Sequence, residues 1–463
     1  MGQSFLPDTV NQTLLFPPSL HDWLPDGHLA RFLVDVVSAL DLDAIYASYR
    51  EKDGRGQSAY APEMMVRLLL YGYATGVYSS RKIETRTYED VAFRYLAGDQ
   101  HPDHATLAEF RKRHLTALAG LFTQALLLCA KAGLVKLGHV AIDGSKIKAN
   151  ASKHKAMSYK RMTETEARLE QEIKELLRQA DETDATEDAQ YGKKRRGDEL
   201  PDELSRRESR LQKIREARQA LEDEAREKAE HERAEAEKKL AEREEEEKRT
   251  GKKKRGRKPE PPDPDKARPA DKAQRNFTDP ESRIMPDGAN KGSFVQAYNA
   301  QIAVDSASQV IVAAEVTQET TDSHQLLAIL AQIEKNLAQK PEKASADAGY
   351  FSEANVTDEA VTGIDLYIAT GRDKHGDPAI GDAPAGATAQ QQMRHKLRTE
   401  AGRAVYKMRK AIVEPVFGQI KERRGFRRFS LRGKQNVGSE WRLVCAVSNL
   451  LKLFGAGWAL EAA

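Results

Sequence analysis

The chain has 463 residues, 40% hydrophobic and 31% charged, with 74 Lys and Arg against 71 Asp and Glu for a formal net charge of +3. That length supports two or three domains with their own cores, and the small net charge averages segments of opposite character, so local charge carries more information than the total. Two cysteines, no basic-then-apolar leader in MGQSFLPDTV and no apolar run of membrane-spanning length exclude a disulfide scaffold and a membrane protein, and predict a soluble cytoplasmic chain.

Residues 1–135 read as a helical domain. LARFLVDVVSAL (29–40), PEMMVRLLLYGYATGV (62–77) and TLAEFRKRHLTALAGLFTQALLLCAKAG (106–133) carry apolar residues three and four apart. Ser79, Ser80 and Thr106 are candidate N-caps, and Pro62 fits a first helical turn. Arg81, Lys82, Arg86, Arg111, Lys112 and Arg113 on such short helices suit a small DNA-docking bundle; the plainer alternative is a helical domain with solvated charges. His101 and His104 have no cysteines nearby and a Pro-Asp pair between them, which does not suit a metal site.

A β pattern starts at HVAIDGSKIKAN (139–150), within a first core segment of 136–154. It resumes at SFVQAYNAQIAVD (293–305) and QVIVAAEVT (309–317). A helical pattern over 324–338 follows, then KASADAG (343–349) and DLYIA (365–369). This strand and helix order is α/β. Between its first two strands lies an insertion, residues 155–285, with almost no apolar mass. Met162, Leu169, Ile173 and Leu176 in one arm, and Leu204, Leu211, Ile214 and Leu221 in the other, keep near-heptad spacing. GKKRRG (192–197) separates the arms, so an antiparallel, coiled-coil-like helical hairpin is expected. From Arg226 to Lys254 the apolar positions vanish, which predicts a charged single helix or a disordered chain, followed by a Pro-rich linker over 251–272. Lys193–Arg196 and Lys252–Lys258 are possible phosphate contacts or solvated loops. The rest of the core and a basic tail occupy 286–434, and a C-terminal helix 435–463.

The tail carries the densest chemistry. Glu414 lies among Ile412, Val413, Val416 and Phe417, with Arg403, Lys407, Arg409 and Lys410 before it. Lys421, Arg423, Arg424, Arg427, Arg428, Arg432 and Lys434 follow it. A carboxylate inside a basic, partly aromatic surface points to a metal ligand acting on a polyanion such as a nucleic-acid phosphodiester. Asp143, directly after the apolar run His139–Ile142, and Asp347, directly after Lys343–Ala346, each precede a small residue or glycine. Acids at equivalent ends of neighbouring strands face one another. Three carboxylates supply enough oxygens for two Mg²⁺ ions, and the absence of a GxxxxGK[ST] loop leaves no nucleotide cofactor to expect. Pro415 predicts a kink or restart of the helix at Glu414. Phe426 and Phe429 suit either base stacking or anchoring of the tail. Lys146, Lys148 and Asn150 suit DNA contact or ordering of the site, and Asp287, Asn290 and Lys291 its mouth. Asp322 and His324 read as a helix N-terminus with a structural role.

A resemblance joins these pieces. FLPDTVNQTLLFPPSLHDWLPDGHLARFL, HPDHATLAEFRKRH, HVAIDGSKIKANASK, DPESRIMPDG, FVQAYNAQIAVD, SADAGYFSEAN and RKAIVEPVFGQIKERRGFRRFSLRG together resemble bacterial insertion-sequence transposases of the DDE type. The likeness is to the broad IS4/IS5 superfamily, and most to the IS1182 family. It implies an RNase H-like catalytic core with Asp143, Asp347 and Glu414 as catalytic and metal-binding residues, two Mg²⁺ ions (Mn²⁺ as an alternative), and an N-terminal domain that reads terminal inverted repeats. It further implies Tyr406, Arg409 and Lys421 on phosphates beside the cleavage point. Arg409 precedes Glu414 by five residues where four is usual, and Lys410 has the four-residue offset. The expected activity is DNA cleavage and strand transfer on inverted repeats and target DNA by a homodimer. The alternatives are an inactivated or repurposed DNA-binding protein and a structure-specific nuclease on the same core.

Overall fold

The computed structural model describes residues 19–50, 58–191, 202–251, 256, 258–288, 290, 292–371, 379–381 and 383–458. The basic run at 193–196, most of 252–258, and Lys291 lie outside them.

Among the described residues seven helices come first: α1 (Leu29–Ser38), α2 (Asp43–Arg50), α3 (Pro62–Thr75), α4 (Ser80–Glu89), α5 (Val91–Ala97), α6 (His104–Arg113) and α7 (Leu115–Lys131). Pro62 takes the first turn of α3, where its missing N–H costs nothing. The segment expected as one helix over 106–133 is two, meeting at a 71° bend beside buried His114. Asp103, not Thr106, caps α6, its Oδ1 accepting from the Thr106 amide at 2.9 Å. Ser79 stands at the N-cap of α4 without a side-chain capping bond. Among the described residues no single helix is long and apolar enough to cross a membrane.

The rest alternates strands and helices: β1 (Val140–Lys148), β2 (Ala156–Ser158), α8 (Tyr159–Tyr191), α9 (Asp202–Thr250), β3 (Gln274–Asn276), β4 (Arg283–Pro286), β5 (Phe294–Asp305), β6 (Ile311–Thr317), α10 (Leu326–Leu337), β7 (Lys343–Ala346), α11 (Glu353–Thr357), β8 (Asp365–Ile368), α12 (Ala389–Arg398), α13 (Glu400–Gly418) and α14 (Lys434–Gly455). In the main sheet β1 lies between β5, antiparallel, and β7, parallel; β8 flanks β7, while β4 and β6 pair with β5. The spatial order β6-β5-β1-β7-β8, with an antiparallel meander followed by parallel strands, is compatible with an RNase H-like core.

The described apolar residues form two clusters, and the larger spans both bundle and sheet. One continuous apolar cluster runs from Leu33, Leu68 and Phe122 of the bundle through Ile142 and Ile302 of the sheet to Trp441 and Leu453 of α14. Helix α14 packs on both α7 and β6, and this seals the bundle to the sheet. The second cluster is small and belongs to the insertion: Met162, Leu169, Leu211, Ile214, Ala217 and Leu221.

The insertion forms the expected antiparallel hairpin. Glu166 meets Arg215 and Arg218, Glu172 meets Arg207, and Tyr159 donates to Glu222. Beyond Arg226, α9 stays helical to Thr250 although it has little to bury. Pairs four apart (Arg226–Glu230, Lys228–Glu232, Arg233–Glu237, Arg243–Glu247) supply local support of a few tenths of a kcal/mol each. At roughly 1.5 Å per residue the 49-residue helix reaches about 74 Å. It is fastened to the core near its middle, where Glu224 pairs with Arg275 of β3 and Arg283 of β4.

Candidate active site

Asp143 does not end its strand. It lies in the middle of β1, which continues to Lys148 because residues 144–148 keep pairing with β5. The parallel ladder sets Val140 beside Ala344 and Ala141 beside Ser345, so two residues on, Asp143 is level with Asp347. Asp347 follows β7 directly and caps a short 3₁₀ turn by accepting from the Gly349 amide at 2.8 Å.

The Asp143 carboxyl is pushed up to about 6. Burial is the largest cause, with the neighbouring charges of Asp347 and Asp322 adding to it, while Arg409 and the Gly144 amide act in the opposite direction. Arg409 of α13 reaches Asp143 Oδ2 at 3.3 Å. It is buried, its Nε has no partner, and its guanidinium stands 5.8 Å from the half-buried Tyr406 ring. Asp143 and Ser145 share one face of β1 by strand alternation. Ser145 Oγ takes Lys421 Nζ at 2.6 Å, and burial, then Arg427, lowers the Lys421 pKa.

Glu414 is exposed on α13 and makes no hydrogen bond or ion pair among the described residues. Five residues past Arg409, it points about 140° around the helix from the side chain that touches Asp143. Among the described residues no three His, Cys, Asp or Glu side chains stand close enough to hold a metal ion. The offset noted in the sequence thus has a geometric consequence: Arg409, not Glu414, faces the aspartate pair.

Helix α13 does not restart at Pro415, for it runs as one helix from Glu400 to Gly418 with the proline inside it. Proline leaves the carbonyl four residues earlier without its usual donor. That carbonyl, on Ala411, accepts instead from Gln309 Nε2 at 3.0 Å. The helix then widens into a π turn, Gln419–Arg423, which carries Lys421 toward β1.

The basic tail divides. Arg424 is buried, with Nη1 to the Val444 carbonyl at 3.4 Å and Nη2 to Ser448 Oγ at 2.5 Å, so it braces α14 and is not presented to DNA. Phe426 and Phe429 are buried against each other and Trp441, which is the anchoring alternative and not base stacking. Lys410, Arg423, Arg427 and Arg428 are exposed, Arg427 in an ion pair with Glu422. The tail backbone pairs with the end of β1, where Phe429 N donates to the Lys148 carbonyl and Lys148 N to the Arg427 carbonyl. Asn150 orders this loop through the Ser430 carbonyl at 2.7 Å. Lys148 faces Asp287 at 3.8 Å.

Asp322 does not cap α10 with its side chain, since the N-cap there is Gln325 without a side-chain bond. Its carboxylate turns to Asn299, Gln301 and Lys146. Ser145, Asn299 and Gln301 were not legible as site residues. Alternation along β1 marks Ser145 as the neighbour of Asp143, and polar positions inside the otherwise apolar β5 mark the other two.

Two family models match the chain: Transposase domain (DUF772) over residues 18–113 and Transposase DDE domain over residues 382–454. Both are transposase domain families, and the pairing is consistent with a DDE transposase. The second match contains Glu414, Arg409 and Lys421; Asp143 and Asp347 lie outside both. No curated protein and no solved structure matches.

Proposed function

We propose that the chain is the transposase of an insertion sequence, most like the IS1182 family. It binds terminal inverted repeats, cleaves DNA at the element ends and joins the freed 3′-OH to target DNA. The observation that carries this reading is Asp143 level with Asp347 on adjacent parallel strands, flanked by Arg409 and Lys421.

The donor set fits a hard divalent cation: two carboxylates brought level by adjacent strands, with room in the coordination sphere for water and substrate oxygens. Asp143 and Asp347 would hold Mg²⁺, or Mn²⁺, with Glu414 as the third ligand by the family pattern. When bound, such ions supply activation of the attacking oxygen and neutralisation of charge on the leaving oxygen. Lys421 and Arg409 grip the phosphate at the site, with Tyr406 holding the guanidinium plane. Lys410, Arg423, Arg427 and Arg428 track the flanking backbone. In the first step water attacks phosphorus and the P–O3′ bond breaks, one proton of the water passing to the leaving O3′ and the other to solvent; in the second the freed 3′-OH attacks a target phosphate, the target P–O3′ bond breaks, and the proton passes from the attacking to the leaving oxygen through solvent. Arg81, Lys82, Arg86 and Lys112, exposed on α4 and α6, suit the end-binding surface. The protein acts in the cytoplasm as a dimer holding two ends. The insertion, a rigid arm fastened by Glu224, suits that pairing.

A second reading has one observation in its favour. Glu414 points away from the aspartate pair, as in a transposase-derived protein that holds DNA without cutting it. A mini-element carrying the inverted repeats that flank the coding region, incubated with the full chain and Mg²⁺, separates the two. Nicking at the element ends supports the enzyme; end binding without nicking leaves the DNA-holding reading.

A further inference from the structure

We propose that Asp322 is a positioning residue of the aspartate pair, its carboxylate set against Gly144, the residue after Asp143, and against the turn that Asp347 caps. The inference rests on the reading of that pair as a divalent-metal site.

The wedge is visible at two glycines. A Cβ on Gly144 would stand 3.0 Å from Asp322 Oδ1, and a Cβ on Gly349 would stand 3.3 Å from Asp322 Oδ2 and 3.0 Å from Asp347 Oδ1. One oxygen of Asp322 therefore sits against the residue after Asp143, and the other against the turn that Asp347 caps. Only glycine leaves room for it at 144, where a Cβ would also meet Gln301 Nε2 at 2.3 Å and Asn299 Oδ1 at 2.9 Å.

Three donors fix this carboxylate from the β5 and β1 side. Asn299 Nδ2 donates to Oδ1 at 2.6 Å, Gln301 Nε2 at 2.7 Å and Lys146 Nζ at 3.4 Å. Gln301 is itself held by the buried Tyr350 hydroxyl, which donates to its Oε1. Asn299 is fully buried, and in turning its amide nitrogen to Asp322 it leaves its Oδ1 without a partner. A buried polar atom is left unpaired only where another interaction outweighs it. Here the same amide nitrogen donates to Asp322 Oδ1 at 2.6 Å and to the Glu319 carbonyl at 3.2 Å, the bond to the carboxylate being the shorter. Asn299, Lys146 and Gln301, the last held by Tyr350, thus converge on one carboxylate that abuts β1 just past Asp143 and the turn after β7. Outer residues that orient metal-binding carboxylates commonly change metal affinity by 10- to 100-fold when removed.

Direct Mn²⁺ binding to the full chain, read from the loss of the free-ion electron paramagnetic resonance signal, tests this apart from activity. Asp322→Ala is expected to weaken Mn²⁺ binding about tenfold, the lower end of that range. Asp322→Asn keeps an oxygen for the same three donors and is expected to stay within about threefold of wild type. Should Asp322→Ala not fold, Asp322→Ser, which shortens the reach, takes its place. Wild-type affinity in the alanine or serine variant overturns the proposal, because nothing was being positioned. An asparagine variant as weak as Asp347→Asn also overturns it, because Asp322 is then a direct ligand. A wild-type chain that binds no Mn²⁺, or an Asp347→Asn chain that binds it fully, overturns the aspartate-pair reading first and this proposal with it.

Discussion

Replacing Asp143 with Asn is expected to stabilise the metal-free protein at neutral pH. The Asp143 carboxyl titrates near 6 in the folded chain against an ordinary 3.8, mainly because it is buried. The folded state therefore holds its proton to higher pH than the unfolded state. Stability is greatest below about pH 4 and falls as pH rises to about 6, above which the ionised group costs about 3 kcal/mol. Asn keeps the shape and an acceptor for Arg409 without the charge. Urea denaturation at pH 8 should show Asp143→Asn more stable by up to about 3 kcal/mol, the gap closing below about pH 4. Mg²⁺ at about 100 times its dissociation constant should return about 2.7 kcal/mol to the wild type alone. A variant no more stable than wild type at pH 8, or a gap that does not change with pH, would refute the reasoning.

Other substitutions separate neighbouring roles. Arg424→Ala should cost about 2–4 kcal/mol of stability, since it removes a buried brace, while leaving the salt dependence of DNA binding unchanged. Arg428→Ala should leave urea stability unchanged but lower the slope of log affinity against log salt by about one. Gly76→Ala should cost about 1–3 kcal/mol in urea melts, because φ there is +81° and the Cβ would meet the Arg424 carbonyl oxygen at 2.7 Å. Lys421→Ala should cut end cleavage about tenfold or more in single-turnover assays, with end affinity changed far less; equal losses in both would assign it to backbone tracking alone.

The strands and helices around the site were legible because their apolar periods are strong: β5, β6, α10, β7 and β8 fall where the patterns put them. Asp347 was legible for the same reason, as an acid directly after a short buried strand. Asp143 was found but misplaced at a strand end, since Gly144 reads as a turn when its partner strand lies beyond a long insertion. The helix carries through Pro415 without a restart because the Gln309 side chain, distant in sequence and invisible to local helix rules, meets the freed carbonyl. Phe426 and Phe429 are equally compatible with stacking and burial until Trp441 is placed beside them. Asp322 was read as a cap because an acid before a helix usually is one; only the fold shows its carboxylate turned toward β1 and β5. The orientation of Glu414 depends on the rotation of α13 about its axis, which a buried Arg409 sets and a one-residue offset decides.

The central claim is that Asp143 and Asp347 form one metal-binding pair. Anomalous diffraction from crystals of the full chain grown with Mn²⁺ tests it most directly. The account predicts manganese density between these two carboxylates, with the Arg409 guanidinium drawn away from Asp143. Manganese bound elsewhere, with the Arg409–Asp143 pair intact, would contradict it.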